Sequence, residues 1–213
     1  MRGIFDPQNT FWRTVAFVCD FVGLSLCWLL CCIPIVTSGA ATCALYDAVY
    51  RGLRTGEEIR VYGRFFSTFK RELKTGVLAT LPFLLLGAVY AIFWRVAFLV
   101  AIGGNDFAGA LVYAYQVVFC IPVMVWAVAM ATLSRFTFKT KELLGTACKL
   151  VFSDLPMAIA VAVILAVGLK LMSWWFISGI FAPALMAYLC SFPVEKIFAP
   201  FLPEEAEDEY DEE

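Results

Sequence analysis

With 213 residues, 62% hydrophobic and only 16% charged, the chain holds more apolar material than a water-soluble core of this size uses, since soluble domains run near 25% charged residues. Sixteen basic and eighteen acidic residues nearly cancel, and there is no histidine. This balance offers no footing for nucleic acid as a partner and removes the commonest acid–base side chain.

The first apolar run, residues 14–36, is 23 residues long. That exceeds the roughly 7–15 apolar residues of a signal peptide and suits a span that stays in the membrane. It carries one charge, Asp20, and begins a cysteine-rich stretch with Cys27, Cys31, Cys32 and Cys43. No C-x-x-C unit and no histidine accompany these thiols, so they are read as small apolar packing residues, and neither metal nor cofactor is expected.

Pro34 removes a backbone donor and should end the first helix. After it comes IVTSGAATCALYDAVY, with small residues four apart at Gly39/Cys43 and Ala40/Ala44. Such pairs let backbones approach closely, which is how helices associate in lipid. The stretch predicts a second helix over 38–50 packed against protein. Its candidate packing or partner-interface residues are Pro34, Thr37, Gly39, Ala40, Cys43 and Tyr46, and it carries an intramembrane charge at Asp47.

Residues 51–74 hold seven basic side chains. Over 59–73 the wheel places Ile59, Tyr62, Phe65, Phe66, Phe69 and Leu73 on one face and Arg60, Arg64, Lys70, Arg71 and Lys74 opposite. This predicts a helix in the cytoplasmic interface, with Phe65, Phe66 and Phe69 inserted and Lys70 and Arg71 near anionic headgroups. The same surface could dock a partner.

A second span is expected over 76–102, with Arg95 near its outer end where it can snorkel. A third covers 107–133, and the run 155–198 is long enough for two, turning near 170–173. The connection 103–106 has no basic residue, whereas 135–149 has Arg135, Lys139, Lys141 and Lys149. By the positive-inside rule the two basic connections are cytoplasmic. If the N-terminus is also inside there are six membrane helices; if it is outside there are five, and Asp20 could then pair with Arg95.

The tryptophans at 12, 28, 94, 126, 174 and 175 fall near span ends and read as an aromatic belt. The segments FFSTFKRELKTGVLATLP and RFTFKTKELLGTACKLVFSDLP echo each other weakly as basic lead-ins to a span. The tail from Pro203 holds eight of the eighteen acidic residues and reads as solvated and disordered.

The expected fold is therefore an all-α polytopic transmembrane bundle of five or six membrane helices plus a basic amphipathic interfacial helix. One helical domain covers 1–203, with an acidic cytoplasmic tail at 204–213. No hydrolase, metalloprotease or phosphate-loop motif is present, so an enzyme is not expected. A carrier would show matching broken helices in two halves, and only the first helix pair has such a break.

Asp20, Trp28–Leu30, the string P-I-V-T-x-G-A-A at 34–41, Ala44–Tyr46 and Phe65, Phe66, Phe69 and Lys70 together resemble the YesL family, also called the domain-of-unknown-function 624 family. Leu73 departs from it, since the family often has an aromatic residue there after Asn. The resemblance implies a small integral protein of the cytoplasmic membrane, mainly of Gram-positive bacteria, encoded beside ABC importers for oligosaccharides. It thereby implies an accessory subunit whose partners are the permease subunits of a sugar importer, besides membrane lipid. The chain has no nucleotide-binding motif and no full E-A-A-x-x-x-G coupling loop, so it resembles neither motor nor permease. An independent solute carrier and a structural or signalling membrane protein are the other classes to weigh.

Overall fold

The computed structural model describes residues 10–57, 60–103, 106–136, 140–174 and 179–201. Ile59, Trp175 and the acidic tail lie outside the described residues, as do the side chains of Arg13 and Trp174. Among the described residues the regular structure is helical throughout.

Helix α1 (Thr10–Cys31) stops just before Pro34, as the missing donor requires. Thr37 closes the turn: its hydroxyl lies 2.5 Å from the carbonyl of Cys31 and 2.7 Å from that of Pro34, where α1 leaves carbonyls without a helical partner. One 3-10 turn, Ile35–Thr37, leads into α2 (Ser38–Ala48), which continues as a wider π-helical turn over Val49–Arg54.

Helix α3 (Val61–Ile102) runs unbroken for 42 residues, about 63 Å at 1.5 Å per residue. The basic amphipathic segment is thus no separate interfacial helix but the first third of α3. Nothing between Leu73 and Gly76 breaks it, and part of its apolar face is covered by protein: Phe65 is fully buried and Phe69 half-buried. Only Phe66, exposed at 44%, is placed as a lipid-inserted ring would be, and Lys70 and Arg71 are exposed.

Helix α4 (Asp106–Arg135) returns along α3. The expected basic connection then contains a helix of its own, α5 (Thr140–Ser153). The two echoing lead-ins diverge at their prolines. Pro156 opens α6 (Leu155–Trp174), where its missing N–H costs nothing, whereas Pro82 is carried inside α3. The final turn falls after Trp174, a little later than the expected 170–173, and α7 (Ala182–Phe198) follows. By length and composition α1, α3, α4 and α6 can each cross a membrane; α2 and α7 are shorter, at 11 and 17 residues.

Helix α2 is the axis of the molecule, with nine of its eleven residues buried. It runs antiparallel to α3. Gly39 faces Gly76 and Thr80 at one end, and Asp47 faces Arg64 and Thr68 at the other. Helix α4 is likewise antiparallel to α3, pairing Trp126 with Thr80 and Phe119 with Tyr90. Helix α7 runs against α1, its Ala184 N–H donating to Ser25 Oγ at 3.1 Å. The ends of α2, α4 and α7 and the start of α3 therefore gather at one end of the bundle, where the charges collect.

Candidate functional site

At that end, two polar clusters are built on neighbouring residues of α2 that face opposite ways. Asp47, 2% exposed, faces α3. Arg64 donates to it through Nε at 2.6 Å and Nη2 at 3.3 Å, and the Thr68 hydroxyl donates at 2.6 Å. Arg51, one turn along, brings Nε to 3.2 Å as an ion pair and also approaches Glu57. A buried carboxylate is stable only when paired and hydrogen-bonded, and here two guanidiniums and a hydroxyl meet that need.

Tyr46 faces the other way and donates to Glu195 of α7 at 3.0 Å. Arg135, the last residue of α4, pairs with the same carboxylate oxygen at 2.8 Å and lies over the Tyr50 ring at 3.8 Å. Arg54 donates to the Ser191 carbonyl at 2.6 Å and covers the Phe192 ring at 4.3 Å. The two clusters tie α2 to α3 on one side and to α4 and α7 on the other. Asp47 and Glu195 are each paired with arginine, and the layer holds the four helices together at this end. Among the described residues no group of three His, Cys, Asp or Glu could hold a metal.

The remaining sequence candidates are placed as follows. Gly39, Ala40 and Cys43 are buried at the α2–α3 crossing; a Cβ on Gly76 would come within 2.8–3.0 Å of Ala40. Pro34 is exposed on the α1–α2 turn. Asp20 is half-buried beside the Tyr62 hydroxyl, which also lies 3.5 Å from the Cys19 carbonyl. Arg95 is exposed on α3, about 50 Å along the helix from Tyr62, so Asp20 and Arg95 do not meet. All eight cysteines are free thiols.

Two tryptophans depart from the belt reading. Trp28 donates to Thr42 at 3.1 Å and Trp126 to Thr80 at 3.3 Å, both inside the bundle. They wall an inner cavity of about 310 Å³ lined by α1, α2, α4, α6 and α7. An outer recess of about 370 Å³ between α3 and α4 shares Ser38, Val123 and Trp126 with it. Sequence reasoning missed Arg135, Thr68 and Tyr50 as partners. Arg135 counted only towards loop charge, and nothing local relates Glu195 to a residue 149 positions earlier.

Beyond Phe83 and Pro122 the α3–α4 hairpin forms an arm whose ring contacts are with itself: Tyr90 on Phe119 at 3.9 Å and Phe93 on Tyr115 at 6.3 Å. Leu85, Ile92, Leu99, Ile102, Val117 and Val118 are 61–71% exposed. An aromatic-walled groove of about 610 Å³ follows the arm to Leu144 and Cys148 of α5.

Residues 21–94 match the family model of DUF624, a protein family of unknown function, while no curated protein and no solved structure matches the chain. The matched stretch runs from α1 to the middle of the arm and contains Asp47, its three partners and the Gly39–Gly76 crossing. The resemblance read from the P-I-V-T-x-G-A-A string is borne out there: the chain carries the DUF624 segment, and that segment builds the α1–α2–α3 half of the charged layer.

Proposed function

We propose that the protein is a non-enzymatic accessory membrane subunit that binds the permease of a carbohydrate ABC importer laterally and stabilises or modulates it. The charged end would be cytoplasmic, with six membrane helices and the N-terminus inside; the separation of Asp20 from Arg95 favours this over the five-helix arrangement. The observation that carries the lateral contact is the α3–α4 arm. Apart from Arg95 and Gln116 its exposed side chains are mostly apolar; it is about 28 Å long from Phe83 to Ile102 at 1.5 Å per residue, and grooved by Tyr90, Phe93, Tyr115 and Phe119. The groove follows α3 from Phe83 to Phe93, about 15 Å at 1.5 Å per residue, room for about three turns of a transmembrane helix, and helices in lipid associate by such close packing. The small-residue helix α2, the other candidate interface, is occupied within the chain.

An independent sugar carrier is less well supported. Around the inner cavity the donors of Trp28, Trp126 and Tyr46 are already engaged, with Thr42, Thr80 and Glu195, and a sugar would need them free.

The test is affinity purification of the tagged full chain from its native membrane in mild detergent. A sugar-importer permease pair should be recovered in fixed ratio, and filling the groove with Leu86→Trp and Val118→Trp should release it. Recovery of the chain alone, where a known importer stays intact, would sink the reading.

A further inference from the structure

We propose that the inner cavity is a binding site for the hydrocarbon tail of a membrane lipid, which enters through the outer recess past Trp126. The reasoning begins with size. Interiors pack closely, and an apolar hole of roughly 150 Å³ already takes a benzene-sized guest while staying dry. This one is about 310 Å³, within the range of ligand pockets.

The lining selects the chemistry. Val161, Leu165, Leu169, Met172, Met186 and Cys190 form much of the wall. The indole of Trp28 is spent on Thr42, the hydroxyl of Tyr46 on Glu195, and the indole of Trp126 on Thr80. Water needs two to four polar partners to stay, and a polar solute would forfeit its hydration without repayment. Hydrocarbon forfeits nothing.

Shape then selects a linear tail. A helix is 10–12 Å across, and a space of about 310 Å³ lined by five helices suits a narrower guest. The two compartments share Ser38, Val123 and Trp126 as lining, so the inner one adjoins the recess on the side of the α3–α4 arm. The recess itself is walled by Phe83, Leu84, Ala88 and Phe119, apolar side chains that acyl chains would wet. Met172 and Met186 are unbranched and adaptable, as a wall for a flexible guest should be.

The experiment uses the full chain reconstituted in phosphatidylcholine vesicles doped with a diazirine-bearing acyl-chain analogue, photolysed and mapped by peptide mass spectrometry. Label is expected on Leu165, Met186 and Cys190 as well as on the lipid-facing Leu99 and Ile159. Ala187→Trp, or the gentler Met186→Phe, should remove the interior label and leave the exterior label in place, which also reports that the variant is folded and inserted. Label confined to lipid-facing positions in the unmodified chain would overturn the proposal. So would interior label that survives both cavity-filling variants.

Discussion

At the scale of single residues the molecule turns on Asp47. Its carboxylate holds Arg64, Thr68 and Arg51 at once, so deleting it takes the shared acceptor from Arg64 and from a buried hydroxyl and leaves Arg51 with its longer contact to Glu57. Asp47→Ala should cost about 1–3 kcal/mol, held below the value for a fully buried pair because both arginines reach solvent, at 34% and 32%. Arg64→Ala should cost less, since Asp47 keeps its other two partners. Thermal melts of the two variants in one detergent give the order, and an equal or reversed order would refute the hub. The presence of Asp47 in an apolar helix was legible in the sequence as a costly charge wanting a partner. Its partners were not, because Arg64 and Thr68 sat on a segment whose polar face was read as turned towards headgroups. The wheel gave that segment's two faces and left open whether lipid or protein covers them.

At the scale of elements the crossing of α2 and α3 decides stability. Gly76 has the backbone of Ala40 so close that an added Cβ would lie 2.8 Å from its nitrogen, and backbone cannot rotate away. Helix propensity alone would make Gly→Ala favourable by about 1 kcal/mol. Gly76→Ala should instead destabilise by about 1–3 kcal/mol through overpacking. Gly145→Ala on α5, with nothing within 4 Å of its Cβ, should be neutral or stabilising, and a melting comparison of the pair reads the sign directly. The helices themselves were plain in the sequence. Pro34 ended α1, the small residues marked α2, and the long apolar runs marked α1, α3, α4 and α6. Less plain were continuity and breaks: α3 absorbs Pro82, and α5 arises in a segment read as a basic connection and a weak echo of the first lead-in. Both depend on neighbouring helices, which no window of sequence contains.

For the whole molecule, the antiparallel pairing of α1 with α2, α3 with α4 and α6 with α7 puts the connection after α2 at one end and the α3–α4 turn at the other. With native thiols at Cys19 and Cys148 replaced, a membrane-impermeant maleimide should label Gly103→Cys in intact cells and Glu57→Cys only after permeabilisation. Labelling of both in intact cells, or the reverse pattern, would refute the proposed orientation. The unbroken α3 carries one more consequence. Its apolar stretch of 27 residues, 76–102, is about 40 Å long at 1.5 Å per residue, some 10 Å more than a hydrocarbon layer of about 30 Å. A stretch longer than the hydrocarbon layer is accommodated by tilting, kinking or local thickening of the bilayer, and a thicker bilayer leaves less excess to accommodate. Because the same helix carries Arg64 and Thr68, which hold Asp47 of α2, a change in its tilt would turn the charged layer with it, and bilayer thickness would become one of the determinants of how that layer is presented.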